Sequence, residues 1–188
     1  NDFLSFEGFV DMSYSHKDID SDYRELGGSD NSYGLDQVEI NWLFDFDQVS
    51  GVVDFAYYGS DAAESAVNSD DDTQLEQAYV TYSFDDGTAL TAGRFQSMLG
   101  FEAFEPTGLY QKSFAYSFGI LPSYGEGVKY TYESGDAFFG VALVNSFNGD
   151  PEANNGIGDG RAGRLGGSGD SDYAVEVAGS YVMDDLTL

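Results

Sequence analysis

Apolar and polar residues alternate along most of this chain. From Leu4 to Tyr14 the even positions are Leu4, Phe6, Gly8, Val10, Met12 and Tyr14, and the odd ones are Ser5, Glu7, Phe9, Asp11 and Ser13. A period of two sends successive side chains to opposite faces of a strand, whereas a helix repeats every ~3.6 residues. Val38, Ile40, Trp42, Phe44 and Phe46 alternate in the same way with Gln37, Glu39, Asn41, Leu43, Asp45 and Asp47. Further alternating runs cover Val53 to Tyr58, Gln77 to Phe84, Val128 to Glu133 and Tyr173 to Met183. Ala137 to Asn145 is apolar on both faces, and Phe139, Val141 and Leu143 are assigned outward. In Ala89 to Gln96, facing Leu90 and Ala92 toward lipid would place Arg94 there too, at a cost of about 2–4 kcal/mol near a bilayer midplane. Thr91, Gly93 and Phe95 are therefore expected outside, and Arg94 in the lumen.

The pattern predicts about eight strands. Long connections (16–34, 60–72, 96–125 and 148–171) alternate with short ones at Gln48 to Gly51, Asp85 to Thr88, Ser134 to Asp136 and Asp184-Asp185. Long external loops alternating with tight periplasmic turns are the signature of an outer-membrane barrel. The expected fold is all-β, an antiparallel up-and-down transmembrane β-barrel. Its N-terminus is expected on the periplasmic side and its long loops outside the cell. Met183 to Leu188 reads as strand, turn and the start of another strand. A single barrel domain over 1–188, cut short at its C-terminal end and part of a larger barrel, is the favoured expectation. The alternative is eight strands that close on themselves.

Composition narrows the function. Asp and Glu number 34 against 7 Lys and Arg, a formal net charge of -27. Nucleic acid is excluded as a partner, because phosphate binding needs a basic footprint. An aromatic content of 16% separates the chain from acidic disordered sequences, which are poor in rings. Tyr14, Tyr57, Phe84, Phe95, Tyr132, Phe139, Tyr173 and Tyr181 lie near strand ends, where interfacial girdles form. Cysteine is absent, which removes thiol catalysis and Cys-ligated zinc. The single His16 has no activated serine motif to serve, so no enzyme is expected. Gly158 to Gly163 matches GxGxxG but neither follows a buried parallel strand nor opens a helix. Asp18 to Asp22 starts like a calcium loop, then lacks the Gly and Glu that such a loop needs (Tyr23 and Ser29 stand there). Asp70 to Asp72 reads as a solvated acidic loop, and Gly166 to Asp170 is one imperfect copy of a calcium repeat that needs an array. No cofactor and no metal site is expected.

One stretch carries a family resemblance. It runs Leu90 to Gln96 with its Gly93-Arg94-Phe95, then Gly100-Phe101-Glu102, Tyr116-Ser117, and Pro122 ahead of Gly127 to Tyr130. This stretch is similar to the OmpL-like β-barrel porins of the porin-2 type, well over Thr73 to Glu133 and elsewhere by pattern. The resemblance implies a diffusion channel built of further strands. It also implies an outer-membrane environment of lipid and lipopolysaccharide and a homotrimer as the oligomer. The aromatic-rich loop between Gln96 and Gly125 is, by the same resemblance, the one that folds into the pore, the alternative being a subunit-contact or barrel-capping loop. Glu102, Glu105 and Lys112 are its candidate constriction residues.

The inferred pore-lining residues are Glu7, Asp11, Glu39, Asp45, Asp54, Arg94, Lys129, Glu133 and Glu176. Such an acidic surface concentrates cations and repels anions. The function expected is passive diffusion of small hydrophilic solutes or ions, with a preference for cations. Two rivals stay open: a non-conducting barrel that anchors a surface layer or partner, and a soluble β-barrel that uses the apolar face as its core.

Overall fold

The computed structural model describes residues 3–17, 30–58, 73–100, 103, 105–110, 124–145, 173–183 and 186–187. Eight strands follow one another: β1 (Leu4–Lys17), β2 (Asp30–Phe46), β3 (Val49–Tyr58), β4 (Thr73–Ser83), β5 (Thr88–Gln96), β6 (Tyr124–Ser134), β7 (Ala137–Asn145) and β8 (Tyr173–Met183). A two-residue strand, β9 (Leu186–Thr187), ends the order. Each strand pairs antiparallel with the next, giving one up-and-down sheet in the order β1 to β9. Among the described residues the sheet is open: its two edges are not paired with each other. No described helix is long and apolar enough to cross a membrane.

The tight turns share one end of the sheet and bond sideways. Ser83 N–H donates to Gln48 O, Glu133 N–H to Gly87 O and Val182 N–H to Asp136 O. The long connections leave from the other end. There the β1–β2 ladder runs as far as Lys17 opposite Asp30, into the first predicted loop. The alternation does not reveal this extension, because Ser15, His16 and Lys17 face Ser32, Asn31 and Asp30, which are polar on both faces. β1 has 14 residues and β2 has 17, against about 9–11 needed to cross a bilayer.

The two faces of the sheet differ in chemistry. One carries Phe6, Val10, Met12, Ile40, Phe55, Val80, Leu90, Val128, Leu143, Val175 and Val177, all exposed. Water-soluble proteins rarely expose contiguous apolar patches beyond a few hundred Å². Rings crowd both ends of this face. Near the tight turns Phe3 stacks on Phe46 at 5.3 Å, and Tyr82 meets Phe84 edge-on at 4.8 Å. Near the long connections Tyr14 packs on Tyr33 at 4.9 Å. The opposite face carries the carboxylates and amides of β1–β4, with Phe9, Leu43, Val52 and Ala56 between them. Over β5–β8 it holds a small cluster of Phe95, Ala142 and Val144, with Tyr79, Met98 and Ala174 against it.

β5 faces the other way from the sequence expectation. Leu90 and Ala92 are exposed, opposite Tyr82, Val80, Tyr130 and Val128, whereas Thr91 and Phe95 are buried. Phe95, expected in an interfacial girdle, is 1% exposed. Arg94 accordingly stands on the rung that holds Phe6, Trp42, Val53 and Ala78, not on the rung of Asp54. Local partners meet Arg94 there. Arg94 Nε donates to Glu76 O at 2.9 Å, Nη1 lies 3.5 Å from Glu126 Oε1, and the guanidinium sits 5.5 Å from the Tyr124 ring centre. The side chain is consequently only 16% exposed.

Candidate functional site: an acidic face met by a loop

Pairing register builds the site. Glu7 faces Asn41, Asn41 faces Asp54 and Asp54 faces Gln77, so one polar rung crosses β1 to β4. A second rung sets Asp11 opposite Gln37 and Gln37 opposite Tyr58. Two bulges enrich this face. Asp11 pairs with Gln37 and Met12 with Leu35, which leaves Asp36 as the extra residue. Asp54 pairs with Gln77 and Phe55 with Leu75, which leaves Glu76 extra. A bulge puts two residues opposite one and re-aims a side chain. Asp36 and Gln37 are both buried here, Glu76 is buried, and Leu35 and Leu75 are turned to the exposed face.

Strict alternation misses Glu76 for this reason. A period of two counted from Ala78 places Glu76 on the apolar row and Leu75 on the polar one. That mismatch is a usable signal: a leucine and a carboxylate that both fall on the wrong face mark a shift by one residue. Leu35 and Asp36 show the same inversion.

Glu105 brings the β5–β6 loop onto this face. It precedes a single 3-10 turn at Pro106–Gly108, where Pro occupies a first-turn position that needs no donor. Gln37 Nε2 donates to Glu105 Oε2 at 3.3 Å and to Glu39 Oε2 at 3.4 Å. Carboxylate oxygens of Glu39, Asp54, Glu76 and Glu105 all lie within 4.8 Å of one another. Gln77 Nε2 donates to Asp54 Oδ2 at 3.2 Å, and Tyr58 donates its hydroxyl to Glu76. Burial, a hydrogen bond with Glu39 and the negative charges of Glu76, Glu39 and Asp54 push the Glu105 carboxyl up to about 10. Glu102 and Lys112 lie outside the described residues.

A second anchor holds the start of the same loop. Glu176 on β8, 1% exposed, accepts from Ser97 Oγ at 2.7 Å and from Met98 N–H at 3.0 Å. Glu176 shares a rung with Ala142, Lys129 and Thr91. Lys129 Nζ lies 4.6 Å from the Phe95 ring centre, a cation–π distance.

The remaining sequence candidates spread toward the rims. Glu7 is exposed and Asp11 half-buried on the polar face. Asp45 is exposed beside the β2–β3 turn, where its Oδ1 accepts from Asp47 N–H at 3.1 Å. Asp47 itself turns the chain at φ 68°. Glu133 is exposed beside the β6–β7 turn. The structure therefore brings Glu39, Asp54 and Glu105 together, adds Glu76, and leaves Asp45 and Glu133 near the tight-turn end. Arg94 is set apart from the polar rungs by the reversed facing of β5.

A comparison with curated proteins returned no match. Across residues 4–176 the chain matches the family model described as beta-barrel porin-2, OmpL-like. This span takes in all of the first seven strands and both anchors of the β5–β6 loop, and the chain belongs to that family of β-barrel porins.

Proposed function

We propose that this chain forms the wall of an outer-membrane pore through which small hydrophilic solutes diffuse, with a preference for cations. The family supplies the porin character and the outer-membrane setting, and it is a family of pores, not of catalysts. The observation that carries the rest is the division of the sheet into an exposed apolar face and a carboxylate-bearing face onto which a loop descends. In this reading the apolar face meets lipid, and the sheet closes with further wall into a barrel, because an open strand edge has no partner in hydrocarbon. The tight turns lie in the periplasm and the long connections outside. Lipopolysaccharide surrounds the outer leaflet, and the pore works as an oligomer, a trimer by family likeness. Glu7, Asp11, Glu39, Asp54 and Glu176 give the lumen its sign, and the loop that carries Glu105 narrows it.

Rings of one charge in a narrow passage set ion selectivity. Planar-bilayer recording across a potassium chloride gradient tests the reading. Open steps with a reversal potential on the cation side are expected, together with a shift toward zero in a Glu7→Lys, Asp11→Lys variant. The absence of conducting steps from folded protein would support a non-conducting anchor in its place, and an anion-side potential would refute the acidic lumen.

A further inference from the structure

The wall and the loop meet at four carboxylates. Glu39, Asp54, Glu76 and Glu105 come from three strands and a loop, and each offers an oxygen within 4.8 Å of the others. Like charges at 4 Å repel by about 1 kcal/mol per pair in bulk water and by more in a protein interior. Protons relieve that repulsion, and so does a cation. Two further observations favour the cation. Asp54 is 1% exposed, belongs to the cluster, and leaves its Oδ1 buried without a hydrogen-bond partner. Asn41, directly opposite Asp54 on β2, also leaves its Oδ1 buried and unbonded. With Asp54 ionised both atoms can only accept, so neither satisfies the other. A buried acceptor left unmet costs about 1–3 kcal/mol. A metal ion meets an excess of oxygen lone pairs and an excess of negative charge at once.

The donor set identifies the class of ion. It is all oxygen and mostly carboxylate, which suits hard cations and not thiolate- or imidazole-seeking metals. It is also irregular, with ligands on three strands and a turn. Calcium accepts six to eight oxygens in flexible geometry, whereas magnesium demands a near-octahedral site and gives up its water reluctantly. We propose that Glu39, Asp54, Glu76 and Glu105 bind one divalent cation of the calcium class, with the Asn41 amide oxygen on the same rung. The ion staples Glu105, and the turn at Pro106–Gly108 behind it, to strands β2, β3 and β4. This inference does not depend on conduction, since it concerns only what the carboxylates hold.

The test uses the full chain folded in detergent micelles and stripped with a chelator. Terbium is titrated as a luminescent stand-in for calcium, and calcium is then added to displace it. One site per chain is expected, with emission sensitised by the nearby Tyr58 and displaced by calcium more readily than by magnesium. Asp54→Asn and Glu105→Gln should each weaken that site about tenfold or more. Replacing Asp70, Asp71 and Asp72 with Asn should leave it unchanged. Both single substitutions keep side-chain shape and remove charge from a crowded place, so folding should survive. Heat-dependent gel mobility checks this, and Glu39→Gln replaces either variant that fails the check. Titrations of the variants that superimpose on the wild type, or a site lost with Asp70 to Asp72 instead, would overturn the proposal. Equal displacement by magnesium would overturn the calcium class.

Discussion

Glu176 illustrates how one side chain can fix a loop. Its two oxygens accept from Ser97 Oγ and Met98 N–H, so the chain leaving β5 is tied to β8, three strands away. Truncation strands a backbone donor and a hydroxyl in a buried place and leaves a hole beside them. Glu176→Ala should cost about 2–4 kcal/mol. Glu176→Gln retains one acceptor and should lose roughly half as much. Urea unfolding of the chain in detergent, followed by Trp42 fluorescence, measures both. An Ala variant as stable as the wild type would mean that the anchor contributes nothing to stability. At this scale the sequence was only partly legible. Glu39, Asp54 and Glu176 could be read as inward carboxylates because they alternate with Val38, Ile40, Val53, Phe55, Val175 and Val177. Glu76 was hidden by a one-residue bulge, and the meeting of Glu105 with Gln37 depends on a loop path that periodicity does not encode. The alternation alone does not place Arg94, whose register puts it on the rung of Phe6 and Trp42, where Glu126, Tyr124 and the Glu76 carbonyl meet it.

At the scale of the element, most strands were legible and their ends were not. Ala137–Asn145 and Tyr173–Met183 match the segments expected from the sequence, while β1 and β2 run on past theirs. The facing of β5 is the hardest to read from the sequence. Thr91, Ala92 and Gly93 carry little hydrophobic contrast, so a single charge decided the assignment. The structure explains why a glycine is needed there. Gly93 sits at φ 134°, and a Cβ on it would lie 2.3 Å from Ala78 O and 2.7 Å from Tyr79 Cα. It faces Gly127, where a Cβ would lie 2.1 Å from Leu143 O, so β4 to β7 are drawn close at this height. Gly93→Ala should therefore destabilise by at least about 1–3 kcal/mol from backbone strain alone, with the clash adding to it. Gly135, at φ 57° with open space around it, is the control. Gly135→Ala meets only the milder strain of the left-handed region and no clash, and should cost less. Equal losses at the two positions in urea unfolding would show that neither the unusual φ of Gly93 nor the close approach of its neighbours matters.

At the scale of the whole molecule, 34 acidic residues against 7 basic ones and an exposed apolar face look contradictory until the two sides of the sheet are separated. In the proposed pore, lipid removes the apolar rows from water, and each large apolar side chain so buried contributes about 1.5–3 kcal/mol. Water then fills the acidic side and screens its charge over about 8–10 Å at physiological salt. The selectivity and constriction readings both depend on that assignment of solvent to face. The absence of native cysteine makes it directly measurable with single-cysteine variants of β1 in lipid vesicles and a charged, membrane-impermeant thiol reagent. Cysteines replacing Ser5 and Glu7 should react, and cysteines replacing Phe6 and Val10 should stay protected until detergent is added. Reaction at Phe6 and Val10, with protection at Ser5 and Glu7, would contradict the account.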